Sequence, residues 1–196
     1  AGILDARGTE STFCDARRWL VTDATFGSAR VFWEETASRA RLQERLWPAG
    51  AAAVVTGFTG QTLDGRTTTL GRNGSDYTAT VLGAALKAER VIINTDVSGV
   101  YTADPGIVDG AYPVPRLSYL EALELAIYGA KIFHSRTMLP LLRTGVPMGI
   151  RNTSDPDGPS TIICGDGNSL STGGKSSASA ATCVTSLERL AFLEVR

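Results

Sequence analysis

The chain has 196 residues, 43% of them hydrophobic and 20% charged, with a formal net charge of −1. That length can bury a sizeable core in one or two domains, and the composition is ordinary for a globular protein. The balanced charge argues against nucleic acid as a partner held by bulk electrostatics, no apolar run reaches the ~20 residues that span a bilayer, and Cys14, Cys164 and Cys183 are too few and too scattered for a disulfide framework or a zinc site.

The first ten residues, AGILDARGTE, carry charges where a signal peptide needs an apolar stretch, and no Met stands at the start. The chain is expected to be processed or a fragment of a longer protein, and its few, scattered cysteines fit a reducing, cytoplasmic compartment. Residues 1–14 hold a short apolar piece and a turn. Residues 15–23 (DARRWLVTD) fit a strand or a short helix equally. Ser28 to Leu46 has near-helical spacing of Val31, Phe32, Leu42 and Leu46, and Trp47-Pro48 stops it. Ala51 to Thr56 reads as a short apolar strand. Asp64-Gly65 is a turn signal between two strands, so the residues around it form a hairpin whose returning strand is Thr67 to Leu70.

Asp76 to Ala88 is expected to be a helix with Tyr77, Val81, Leu82, Ala85 and Leu86 on one side. Val91 to Asn94 (VIIN), apolar on both faces, reads as a buried parallel strand. Leu117 to Ile132 holds one or two helices broken at Gly129, and Thr137 to Arg143 a further one ended by Gly145. Pro147 to Thr153 is a strand, and Thr161 to Cys164 a short edge strand. Strands alternating with helices make an α/β protein with a mostly parallel sheet. Residues 165–183 have the Gly/Ser-rich composition of a linker. Residues 184–196 turn apolar again, and Leu190, Phe192 and Glu194 look like the first strand of another domain. Gly173-Gly174-Lys175-Ser176 resembles the end of a phosphate-binding loop, but Ser169 stands where the first glycine belongs, so linker is the better account.

Three stretches carry candidate chemistry. Gly71-Arg72-Asn73-Gly74-Ser75-Asp76 lies between a strand and a helix N-terminus, where free N–H groups and the helix dipole favour an anion. Arg72 could grip a carboxylate or phosphate; alternatively Ser75 or Asp76 caps the helix and Arg72 is a surface charge. Thr95 to Pro105 follows the VIIN strand directly, and ligands in open α/β sheets sit outside the carboxyl ends of strands. Thr95 and Asp96 would then line a site with Tyr101 flat against a base; alternatively this is a long surface loop with Tyr101 tucked onto the core. Gly129-Ala130-Lys131 could approach a polyanion, or Lys131 could simply be solvated. His134, the single histidine, is a candidate general base or a helix-end residue.

In this order and spacing, VTGFTG (Val55 to Gly60), GRTTTLGRNGSDYTA (Gly65 to Ala79), NTDVSGVYTADP (Asn94 to Pro105), LSYLEALELAIYGAKIFH (Leu117 to His134) and RNTSDPDGPSTII (Arg151 to Ile163) resemble the aspartate kinases of the amino-acid kinase family. The resemblance covers about residues 10–164. It implies a three-layer α/β/α sandwich and the reaction of ATP with L-aspartate to give 4-phospho-L-aspartate, the opening step toward lysine, threonine and methionine. It assigns Arg72 and Ser75 to aspartate and Asp76 to orienting a catalytic lysine. It assigns Thr95, Asp96 and Tyr101 to the adenine and ribose pocket, and Lys131 with the Ile132 backbone to the nucleotide. Mg²⁺ would be held largely through the phosphates, with no metal ligands on the protein. The partners implied are L-aspartate and ATP, in a homo-oligomer.

The same resemblance divides the chain into kinase domain (1–164), linker (165–183) and the first strand of an ACT regulatory domain (184–196). The family's KFGGTS motif and its Gly-Glu pair are absent from these residues and are expected upstream. Gly106 follows Asp104-Pro105 where the family usually has Arg, and Ser98 and Ser135 replace commoner Asp and Pro. The alternatives are a kinase of the same fold acting on another amino acid such as glutamate, or a fragment without catalysis.

Overall fold

The computed structural model describes residues 1–128, 134–165 and 182–185. The chain divides into two compact units, Ala1–Val91 with Leu139–Val146, and Ile92–Met138 with Pro147–Arg196.

The first unit opens with α1 (Gly2–Ala6) and β1 (Ser11–Cys14), then a 3-10 turn over Ala16–Arg18. The turn settles the ambiguous DARRWLVTD segment: the Asp15 carboxylate accepts the Arg17 N–H and starts it. α2 (Trp33–Glu44) leads to β2 (Ala52–Val55), which pairs in parallel with β1, Ser11 opposite Ala52 and Cys14 opposite Val55. A parallel pair needs a crossover, and the segment containing α2 supplies it. That helix takes up most of the segment from Ser28 to Leu46, as its spacing predicted. Val31 is held in a bridge to Thr22, and Phe32 donates its N–H to the Val21 carbonyl at 2.8 Å, so the chain is extended until Trp33.

β3 (Thr59–Gln61) and β4 (Thr67–Thr69) form the antiparallel hairpin signalled by Asp64-Gly65, and the Thr62 hydroxyl closes its turn onto Asp64. α3 (Gly74–Ala85) follows. α2 packs on α3, and the small side chains Ala37, Ala40 and Ala85 share one core with Trp19, Leu20, Leu70 and Leu82. Trp47 joins its edge, tilted against Trp19 at 5.1 Å between ring centroids.

After Val91, the last residue of the first stretch of the first unit, β5 (Val91–Thr95) leads through a long loop to β6 (Arg116–Ser118) and α4 (Tyr119–Ile127) of the second unit. α5 (Ser135–Thr144) belongs to the first unit from Leu139 onward, and β7 (Met148–Asn152) and β8 (Ser160–Cys164) belong to the second. The strand order is β5-β7-β8-β6. β8 runs parallel to β6 and antiparallel to β7, with Ile163 opposite both Leu117 and Met148. Val100, Val114, Leu117, Ala122, Met148, Ile150 and Ile163 are buried.

Two strand expectations are corrected. β5 is not interior but ends the row of strands, and Ile92 is 42% exposed while Val91 is buried. Val91, Ile92 and Ile93 put an apolar side chain on each face whichever way the strand lies, so the run alone did not distinguish the cases. β8, expected at an edge, is flanked on both sides, and its Thr161 is fully buried with its hydroxyl satisfied internally.

α4 starts behind a complete capping box. Ser118 Oγ accepts the Glu121 N–H at 3.1 Å, and Glu121 Oε2 accepts the Ser118 N–H at 2.7 Å. Gly145 ends α5 as expected, its N–H reaching the Leu141 carbonyl at 2.8 Å. The expected break at Gly129, the loop-like Gly173–Ser176, most of the linker and residues 186–196 of the expected final strand lie outside the described residues. Val184 and Thr185 are described, and neither is in a strand.

Candidate functional site

The first cluster is built where β4 hands over to α3. Leu70 donates its N–H to the Phe58 carbonyl at 2.9 Å, tying the GRNGSD turn to the VTGFTG turn. Phe58 has a left-handed backbone, φ 73°, and donates its own N–H to Thr78 Oγ1 at 3.1 Å. The buried Thr78 hydroxyl passes on to the Gly74 carbonyl at 2.8 Å. One hydroxyl on α3 therefore fixes both the turn that approaches the helix and the first residue of the helix itself.

Asn73 holds the cap position of α3 in a left-handed conformation, φ 55°, and its side chain makes no capping bond. Ser75 and Asp76 lie inside the first turn, so the reading in which either caps the helix is corrected. Arg72 and Ser75 are exposed and Asp76 is half-buried. None of the three side chains has a hydrogen bond or ion pair with another described residue. A cation, a hydroxyl and a carboxylate thus surround the positive end of a helix dipole with their bonding capacity unspent.

The second cluster forms at the carboxyl end of β5. Thr95 Oγ1 donates to Asp96 Oδ1 at 3.0 Å. The end of β7 braces this corner: Thr153 donates its N–H and its hydroxyl to the Thr95 carbonyl, at 2.8 and 3.0 Å. Asn152 Nδ2 reaches the Asp96 carbonyl at 3.3 Å and Ser98 Oγ at 3.4 Å. The sequence reading quoted Asn152 and Thr153 without giving them a role. The available signal was their type: an amide and a hydroxyl at the end of a strand, suited to hold a neighbouring strand end.

Beyond Asp96 the loop folds on itself. Tyr101 forms a bridge with Pro113, and the Val114 N–H meets the Val100 carbonyl at 2.7 Å while the Thr102 N–H meets the Tyr112 carbonyl at 2.9 Å. Tyr101 is half-buried. Asp104 shapes the tip, its Oδ1 accepting the Gly106 N–H at 2.8 Å. The glycine that stands where arginine was expected is therefore part of a tight aspartate turn. The tip also holds Val184, whose N–H donates to the Thr102 carbonyl at 2.8 Å.

Arg72, Ser75 and Asp76 belong to the first unit, and Thr95, Asp96 and Tyr101 to the second. Lys131 and Ile132 lie outside the described residues. His134 is exposed, and its Nδ1 accepts the Arg136 N–H at 3.2 Å, the helix-end role left open by the sequence. Burial, with a smaller contribution from Cys164, pushes the Tyr119 phenol far above its ordinary range, so it stays protonated. Among the described residues no three His, Cys, Asp or Glu side chains group as a metal site.

The model of the amino acid kinase family matches residues 1–152. The chain belongs to the amino acid kinase family. It is 40% identical over 162 residues to the lysine-sensitive aspartokinase 3 of Escherichia coli, covering 83% of this chain and 36% of that protein. It is 39% identical over 192 residues to a bifunctional aspartokinase/homoserine dehydrogenase of Haemophilus influenzae, covering 98% of this chain and 22% of that one. The crystal structure of E. coli aspartokinase III in complex with aspartate and ADP superposes with a TM-score of 0.76 at 41% identity, over 83% of this chain and 36% of that chain. The chain therefore spans about a third or less of these relatives' lengths. The α/β amino acid kinase fold expected from the motifs is the fold of this chain.

Proposed function

We propose that the chain carries part of a kinase that phosphorylates the side-chain carboxylate of L-aspartate with ATP. The observation that carries this reading is the unpartnered group of Arg72, Ser75 and Asp76 at the N-terminus of α3. The relative solved with aspartate and ADP supports the substrate pair. Arg72 and Ser75 hold the carboxylates of aspartate, and Asp76 aims the lysine of the family's KFGGTS motif, which these 196 residues do not contain. Thr95, Asp96 and Tyr101 receive adenosine, and Lys131 with the Ile132 backbone approaches the phosphates. Mg²⁺ enters with the nucleotide, as part of the substrate.

In the reaction a carboxylate oxygen of aspartate attacks the γ-phosphorus, the bond to the β–γ bridging oxygen breaks, and ADP leaves. The nucleophile is already ionised, so no protein base is required. Catalysis is then positioning and charge neutralisation, which suits a site made of a cation, hydroxyls and backbone N–H groups. The product, 4-phospho-L-aspartate, stands at the head of lysine, threonine and methionine synthesis. Free thiols at Cys14, Cys164 and Cys183 suit a reducing compartment such as the cytoplasm.

The test is a panel of amino acids offered to a protein extended to the relatives' length, with hydroxylamine trapping the acyl phosphate. Aspartate is expected to give trapped product many times faster than glutamate. Equal or faster trapping with glutamate would overturn the assignment of substrate, and no trapping with either would overturn the assignment of reaction.

A further inference from the structure

The β5–β6 loop contains no strand of its own, yet its two arms meet at one atom. Thr161 Oγ1, on β8, accepts the Val100 N–H at 2.8 Å and donates its proton to the Val114 carbonyl at 2.7 Å. The residue is fully buried, 0% exposed. Val100 and Val114 are also bonded to each other, and Tyr101 and Pro113 form the next step outward. Gly99 presses on the same hydroxyl. A Cβ there would lie 2.4 Å from Thr161 Oγ1 and 2.9 Å from the Thr161 N, and the glycine's φ of +119° is itself one that side chains rarely adopt.

We propose that Thr161 is a positioning residue for the nucleotide loop, setting the height and direction of Tyr101 through its two hydrogen bonds to the loop's base. The proposal rests on the assignment of Tyr101 to the nucleotide pocket. A buried hydroxyl that only filled space could be replaced by a methyl group at little cost. Here that exchange strands the Val100 N–H away from water and removes the donor to Val114, on the two strands of chain that carry Tyr101 and its partner. Thr161 lies far from Arg72 in sequence and in the other unit, so its effect should fall on one substrate only.

The experiment compares Thr161→Val with Thr161→Ser in a protein of the relatives' length. Three quantities are read: the KM for ATP against that for aspartate, amide hydrogen exchange at Val100 and Thr102, and the melting temperature. Thr161→Val is expected to raise the ATP KM about tenfold, the scale set by an unmet buried polar group, with the aspartate KM unchanged and Val100 exchange accelerated. Thr161→Ser keeps the hydroxyl and is expected to restore both. A melting temperature that falls with both KM values unmoved makes Thr161 merely structural and overturns the proposal, as does an equal rise in the two KM values. If the parent protein phosphorylates no amino acid, the proposed reaction falls. The exchange readout and ADP calorimetry then still decide on Thr161: slow Val100 exchange and unchanged ADP affinity in Thr161→Val would overturn it. If Thr161→Val does not fold, Thr161→Ser alone decides, since parent-like exchange and ATP KM are required of it.

Discussion

Ser75 stands where Gly57 would place a side chain: a Cβ on Gly57 would lie 2.9 Å from Ser75 Oγ and 3.0 Å from Ser75 Cα. The contact is with backbone as well as hydroxyl, so it is not relieved by a rotamer change. The VTGFTG turn thus sets how far the first turn of α3, with Ser75 on it, can approach the sheet.

Gly57→Ala is accordingly expected to push the start of α3 outward. Overpacking of this kind costs about 1–3 kcal/mol in stability. Its kinetic signature should be an aspartate KM raised several-fold with the ATP KM nearly unchanged. Steady-state kinetics with each substrate varied in turn checks this; a change confined to the ATP KM would remove Gly57 and Ser75 from the aspartate side.

Arg72 makes no ion pair within the described residues, so its loss should cost the fold little. Arg72→Ala is expected to leave the melting temperature within about a degree or two, as surface changes do. The aspartate KM should rise roughly tenfold to a hundredfold, the scale of a lost charge-assisted hydrogen bond of about 1.5–3 kcal/mol. A matching rise in the ATP KM would count against a role in gripping aspartate.

Much of this architecture was legible because its signals are local. The hairpin followed from Asp64-Gly65, the α5 stop from Gly145, and the α3 apolar face from the spacing of Val81, Leu82 and Ala85. The strand positions in the sheet were not, because an edge or interior place depends on which strands lie alongside and not on a strand's own residues. The polar residues were placed well by type and poorly by partner. Arg72, Ser75 and Asp76 do meet at one helix end, but only coordinates reveal that Asn73 takes the cap position and leaves the other two unspent. Thr78 and Thr161 were not legible, since a threonine inside a helix or strand pattern looks like any other β-branched residue until its hydroxyl is seen holding backbone groups far from it in sequence.

The 196-residue chain alone is expected to give no aspartate-dependent ATP turnover. It spans 36% of the E. coli aspartokinase 3 length and holds no lysine-glycine phosphate motif. A coupled assay for ADP release, run with the isolated chain at high aspartate and ATP, checks this; turnover near that of the extended protein would show that the missing lysine is dispensable.

The capping box of α4 supplies a pH dependence with a definite sign. Burial alone would raise the Glu121 pKa, but hydrogen bonds from the Ser118 N–H and hydroxyl and from Thr182 outweigh it, so the net shift is downward from the ordinary 4.5. A carboxylate with a depressed folded pKa stabilises the fold fully above its unfolded pKa, and that contribution is lost as pH falls through the folded value. The window therefore lies below pH 4.5. Nearby Cys183, raised by burial and by the Glu121 charge, titrates far above it. Glu121→Gln preserves the reciprocal bond to the Ser118 N–H but cannot ionise, so its stability should fall less steeply than the parent's below pH 4.5. Ser118→Ala removes the cap itself and is expected to cost about 1 kcal/mol at neutral pH. Urea denaturation midpoints across the acid range measure both; parallel acid limbs for parent and Glu121→Gln would show that the Glu121 charge contributes nothing to holding α4.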